Sequence, residues 1–221
     1  MTNDPTSRLA HHLQSGDLRE IAVVLVELER ERGVVSFSEL SDDPFAALET
    51  QNEFAVEYTD VAPDGCSVFG YYRASPPTIY VHPSVMGERD NFTLLHEYGH
   101  HVQRQHMQWA DLWLSLPDWE SARVNEAVAD SFAAEVLMPE DRMPFSAGPL
   151  HARAIRDAHS GSRASRQALV MRAVELAPGS ERAVVAITDL DGRVTFARST
   201  CDEPAPRRGA IQPGLKAIPF T

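Results

Sequence analysis

The run Leu94-Leu95-His96-Glu97-Tyr98-Gly99-His100-His101 constrains this chain more than any other stretch. Its His-Glu-x-x-His spacing makes chemical sense on a helix, where positions four apart lie on one face, one turn above the other. There His96 and His100 can hold one divalent ion such as Zn²⁺. Glu97 sits beside them, where a carboxylate can take a proton from an activated water. His101 is rotated about 100° around the same helix and is not expected to ligate. Two imidazoles leave a tetrahedral ion short of a third protein ligand, so the fold must bring a second element against this helix. Gly99, between the two histidines, has no side chain and allows that close approach.

With 221 residues, 43% of them hydrophobic and 24% charged, the chain can bury one good core. A net charge of −12 argues against using the whole surface on nucleic acid or anionic lipid. The opening residues MTNDPTSRLAHHLQSGDLRE lack a basic start followed by an apolar stretch, and the apolar run Ile21 to Val26 is too short to span a bilayer. A cytoplasmic protein with no signal peptide is expected. Cys66 and Cys201 fit no metal or redox spacing and read as two free thiols.

Taken in order, residues 1–7 read as a frayed tail. Leu9, Leu13, Ile21, Val24, Leu25 and Leu28 recur at helical spacing up to about Arg32, with Gly16-Asp17 as a break and Gly33 as a stop. Glu27 to Arg32 alternates in charge and reads as a solvated face. Residues 36–52 read as a loop and a short helix. Phe54 to Thr59, Cys66 to Tyr72 and Thr78 to His82 carry strand signals, with a turn at Pro63-Asp64-Gly65. The His-Glu helix should begin near Glu88 to Asn91 and reach His106, burying Phe92, Leu95, Val102 and Leu94. Trp109 to Leu116 is a short apolar piece, and a long helix runs from Glu120 to Leu137, stopped at Met138-Pro139. Leu150 to His159 and Ala164 to Leu176 read as helices. Ala183 to Asp189 and Arg193 to Arg198 read as a hairpin about Asp191-Gly192. The expected fold class is α+β: a small antiparallel sheet packed on a mainly helical core, with a short C-terminal hairpin. The expected segments are 1–50, 51–182 and 183–221.

The second long helix carries Val124-Asn125-Glu126-Ala127-Val128-Ala129-Asp130. Glu126 and Asp130 are four apart and share a face. If Glu126 ligates the ion, Asp130 can reach a ligand histidine and accept the far N–H of its ring, fixing its tautomer. The stretch between His100 and Glu126 is long enough for one reversal and an antiparallel return.

The two stretches together closely resemble the ImmA/IrrE family of bacterial metallopeptidases. Phe92-Thr93-Leu94-Leu95-His96-Glu97-Tyr98-Gly99-His100 follows that family's first helix motif. The run from Glu126 through Asp130, Phe132 and Ala134 to Met138-Pro139 follows its second, in the same order and spacing. Ser165 to Arg172 resembles a later family segment, and the resemblance spans roughly residues 54–176. It implies a zinc site built from His96, His100 and Glu126, with Glu97 as general base and Asp130 as the partner of a histidine, most simply His96. It also implies a protein substrate, typically a helix-turn-helix transcriptional repressor cleaved at one site in a stress or mobile-element response. In zinc metallopeptidases of this layout an edge strand lies along the cleft, where an extended peptide can pair with it. Tyr71 and Tyr72 lie on a strand that could border that cleft, and both read as structural.

The alternative of a different class is a zinc-containing regulatory module that grips a partner protein without hydrolysing it. Six arginines, Arg153, Arg156, Arg163, Arg166, Arg172 and Arg182, fall in or beside a helix-turn-helix-like stretch. With no wing or aromatic platform evident, packing on the rest of the protein is expected there, and direct nucleic-acid binding is not.

Overall fold

The computed structural model describes residues 4–60, 69–84, 87–106, 109, 117–145, 149–202 and 204–211. The turn expected at Pro63-Asp64-Gly65, Cys66, residues 110–116 of the short apolar piece and the last ten residues lie outside them. Packing divides the chain into two compact units, Met1–Leu137 and Met138–Thr221. This is a partition by contact, whereas the segments 1–50, 51–182 and 183–221 are drawn on motifs.

The first unit begins with α1 (Pro5–Ser15) and α2 (Leu18–Arg32). The helix starts inside the stretch expected to fray, for a local reason. Pro5 supplies a preset φ at the first helical position, and the Asp4 carboxylate accepts the Ser7 N–H at 3.0 Å. Gly16-Asp17 separates the two helices as expected, and Asp17 caps α2 by accepting from the Glu20 N–H at 3.2 Å. Residues 36–52 form two short helices rather than one, α3 (Phe37–Asp42) and α4 (Pro44–Glu49), because Asp43-Pro44 repeats the cap-then-proline device. The Ser41 hydroxyl donates to the Val136 carbonyl at 2.6 Å, tying α3 to the second long helix.

Three strands follow: β1 (Ala55–Tyr58), β2 (Gly70–Ala74) and β3 (Pro77–Val81), in the order β1-β3-β2. The α+β class holds. The sheet itself is mixed: β2 pairs with β3 antiparallel, but β1 pairs with it parallel. Alternation in Phe54 to Thr59 reports two faces and not a direction. Once β2 and β3 form their hairpin, β1 takes the free edge of β3 by way of a crossover. β3 is the central strand, and Thr78 to Val81 are buried.

α5 (Gly87–Gln105) carries the His-Glu motif and α6 (Asp118–Leu137) carries Glu126 and Asp130. Leu94, Leu95, Tyr98 and Val102 of α5 pack with Val128, Ala129, Phe132 and Val136 of α6 in a core shared with Ile21, Val24 and Leu25 of α2. Phe92, expected in this core, is only half-buried. The two helices run antiparallel, since His96 meets Asp130 while His100 meets Glu126. A Cβ on Gly99 would lie 3.3 Å from the Ala129 Cα and 3.2 Å from the Phe132 ring, which confirms the close approach expected at that glycine.

Gly70 performs the same service on the other side. A Cβ there would lie 2.6 Å from the Thr93 Cγ2, 2.9 Å from the Tyr80 carbonyl and 3.3 Å from the Glu97 Cγ. Backbone cannot yield as a flexible side chain can, so β2 would have to lift away from α5. Gly70→Ala is expected to destabilise the first unit by about 1–3 kcal/mol, the usual cost of overpacking. Denaturant unfolding checks this, and wild-type stability would mean the strand shifts freely.

The second unit contains a 3₁₀ turn (Glu140–Arg142), α7 (Ala152–Ser160), α8 (Arg166–Leu176) and the antiparallel pair β4 (Val184–Thr188) and β5 (Val194–Ser199). The Asp189 carboxylate accepts the backbone N–H groups of Asp191 and Arg193, which closes the expected turn. Arg172 is fully buried; its Nε donates to the Met138 carbonyl at 3.0 Å and it pairs with Glu175. That arginine is therefore not displayed to a polyanion. Among the described residues, no helix is long and apolar enough to cross a membrane.

Candidate functional site

His96 and His100 project from one face of α5, with their Nε2 atoms 3.1 Å apart. The Glu126 carboxylate faces both rings: one oxygen lies 3.3 Å from His96 Nε2 and the other 3.4 Å from His100 Nε2. Among the described residues these three form the group of histidine, cysteine and carboxylate side chains placed to hold a metal ion. The histidine side chains are recessed, at 15% and 12% exposure, while Glu126 is 61% exposed, so the cluster opens to solvent on the α6 side. Asp130 approaches from the same helix, with Oδ1 2.9 Å from His96 Nδ1. It is the expected partner on the expected histidine, and its carboxylate can only accept, which leaves Nε2 free to face the cluster.

The donor set fits a divalent ion. Tetrahedral bonds of about 2.0–2.1 Å put neighbouring donors about 3.3–3.4 Å apart, close to the three separations here. Two imidazole nitrogens suit a transition metal better than calcium or magnesium, which prefer oxygen. In the metal-free protein, burial opposes charging the His96 ring. Its hydrogen bonds with Asp130 and Glu126 outweigh that and push its pKa up to about 10. Hydrogen bonds from His100 and His96 hold the Glu126 carboxyl well below the usual carboxylate range. His96 therefore carries a proton at neutral pH that it must lose before Nε2 can ligate. Metal binding should release about one proton there and tighten as pH rises. Calorimetry in buffers of differing ionisation enthalpy reads the proton count, and no release would contradict this arrangement.

Glu97 is buried beside the cluster at 3% exposure. Burial raises its pKa, the His96 and His100 charges oppose that shift, and the Tyr72 backbone N–H hydrogen-bonds its carboxylate. β2, at one edge of its sheet, thus reaches the candidate base directly, which is why Gly70 must sit so tightly against α5.

Tyr98, Tyr71 and Tyr72 all have structural partners. The Tyr98 hydroxyl donates to Glu29 at 2.7 Å, the Tyr72 hydroxyl lies 3.0 Å from His101 Nδ1, and the Tyr71 ring stacks on Tyr80. His101 points away from the cluster as expected and is buried against Phe54 and Tyr98. Arg30, Glu31 and Arg32 are exposed, as the solvated reading of Glu27 to Arg32 expects, but Glu29 departs from it. It is fully buried, accepting from Tyr98 and from Arg32 at 2.7 Å, and Arg32 in turn pairs with Glu53. A buried carboxylate needs such partners. Its charge masked the fact that it lies on the core-facing side of α2, next to Val26 and Leu25.

Two residues at the cluster had no motif to announce them. Gln103 Oε1 and Asn125 Nδ2 each lie 3.2 Å from His100 Nδ1. Spacing could have found the first: Gln103 is three residues after His100 on one helix face, whereas Asn125, next to Glu126, is turned about 100° from it and carried no such signal.

No curated protein matches the chain. Residues 54–148 match the family model described as the IrrE N-terminal-like domain of peptidases, a segment that begins at the entry to β1 and contains the sheet, α5 and α6. That match supports membership of the ImmA/IrrE family through this domain, which is of the metallopeptidase type.

Proposed function

We propose that this protein is a zinc-dependent endopeptidase that cleaves a specific protein substrate, a helix-turn-helix transcriptional repressor in a stress or mobile-element response. The observation that carries the reading is the joint placement of His96, His100 and Glu126 with Glu97 buried beside them. A site of two histidines and one carboxylate with an open side is the composition expected of a catalytic rather than a closed structural zinc centre. The family match supports peptidase chemistry. The repressor as substrate rests on the resemblance alone.

His96, His100 and Glu126 would hold the ion, and Asp130 orients the His96 ring for it. When bound, zinc supplies Lewis acidity that acidifies a water and polarises a carbonyl. Glu97 accepts the proton of the attacking water on its carboxylate and returns it to the leaving amine nitrogen. Burial favours this by lifting its pKa toward the working range. The edge of β2 beside Glu97 offers backbone groups to an extended substrate.

Incubation with repressors encoded beside its gene, followed by mass spectrometry of the products, tests the substrate class. One pair of fragments summing to the repressor plus a water is expected. A repressor bound stoichiometrically but left intact would favour the non-hydrolytic binding module.

A further inference from the structure

We infer that Gln103 is a positioning residue: it sets the ring tautomer of His100 and locks the two ligand-bearing helices in register at that ligand. The inference rests on the reading of His100 as a metal ligand.

Donors and acceptors fix the tautomer. Gln103 is buried at 1% exposure, so both ends of its amide need partners. Its Nε2 lies 3.1 Å from the backbone carbonyl of Asn125. A carbonyl can only accept, which makes that end of the amide the NH₂ group. The other end, 3.2 Å from His100 Nδ1, is then the oxygen, and it too can only accept. Nδ1 must therefore carry the hydrogen. The lone pair of His100 is left on Nε2, the atom 3.1 Å from His96 Nε2 and 3.4 Å from Glu126 Oε1. The Asn125 amide, also 3.2 Å from Nδ1, is compatible when its oxygen faces the ring, because the two ends of an amide are interchangeable in shape.

The same side chain joins two of the three candidate ligands. Gln103 stands one helical turn from His100 on α5, and its anchor Asn125 adjoins Glu126 on α6. Slippage of α6 along α5 would break this bond as it moved Glu126. The two histidines are thus held unequally, His96 by the Asp130 carboxylate and His100 by a neutral amide. An amide orients a ring without adding charge beneath it, so the ion's Lewis acidity is less damped on that side.

The test uses the full chain with Zn²⁺ as the probe. Chelator competition measures affinity, and long-range ¹H–¹⁵N correlation on the metal-free protein at mildly alkaline pH reads the histidine tautomers. In the wild type His100 should be the Nδ1–H form. Gln103→Leu should weaken zinc binding about 10–100-fold and leave His100 a mixture of tautomers. Gln103→Glu, which keeps an acceptor at the ring but loses the N–H given to the Asn125 carbonyl, should retain the Nδ1–H form that the leucine variant loses and regain only part of the zinc affinity. A wild-type His100 in the Nε2–H form overturns the inference, and so does a leucine variant that binds zinc as tightly as wild type. If that variant does not fold, the wild-type spectrum and the glutamate variant still decide. A wild type that binds no zinc would instead defeat the reading of the site, and its tautomer spectrum would still test Gln103.

Discussion

Replacing Glu97 by glutamine is expected to leave zinc bound and to slow peptide cleavage by about 10²–10⁴-fold, the usual worth of a positioned general base. The substitution suits its position. Glu97 is almost fully buried, and glutamine preserves its volume in a site where Gly70 already leaves no spare room. The amide oxygen can still accept the Tyr72 backbone N–H that the carboxylate accepts. What it cannot do is take a proton from water. The carboxylate is not among the three groups placed around the candidate ion, so affinity should change little. Removing a buried negative charge next to two imidazoles should, if anything, slightly favour their neutral forms. Cleavage by the glutamine variant at the wild-type rate would remove Glu97 from the role of base.

The second large effect concerns the ion itself. A His96→Ala, His100→Ala double variant should retain no stoichiometric zinc, because it removes both imidazole ligands and leaves Glu126, an exposed carboxylate, without the nitrogen donors that zinc prefers. Zinc at a thousand times its dissociation constant should stabilise the wild type by about 4 kcal/mol and the double variant by nothing. In the metal-free state the double variant should keep its fold but lose the stability that the hydrogen bonds of the charged His96 ring to Asp130 and Glu126 supply at neutral pH, a difference that fades as pH rises toward about 10. The rings are recessed but lie at the open side of the cluster, and the core contacts of α5 come from Leu94, Leu95, Tyr98 and Val102. Thermal unfolding with and without zinc, alongside metal analysis, checks both parts. Full zinc content in the double variant would mean that the ion is held elsewhere.

How far the sequence reached depended on whether a residue's meaning lies in spacing or in packing. The placement of His96, Glu97, His100, Glu126 and Asp130 on two helices follows from separations of four, and the structure puts all five at one locus. The need for a glycine between the histidines follows likewise. The direction of β1 was not legible, since alternation looks the same in either sense and only the β2–β3 hairpin decides which edge remains free. Gly70 was silent for the same reason: its importance comes from Thr93, Tyr80 and Glu97, all distant in sequence. Glu29 misled because charge usually marks a solvated face. Here a tyrosine from α5 and an arginine one turn along satisfy it in the core. Gln103 lay within reach, at the same spacing logic as Asp130 on α6, but glutamine belongs to no metal motif.

The central claim is that one zinc site carries out peptide-bond hydrolysis. Its most direct test is cleavage of the partner repressor in H₂¹⁸O, read by mass spectrometry for the wild type with and without a chelator. The account predicts one new C-terminal carboxylate that carries the ¹⁸O label, lost on chelation and restored by added zinc. Stoichiometric zinc with an intact, tightly bound repressor, or cleavage that continues undiminished in the chelator, would contradict it.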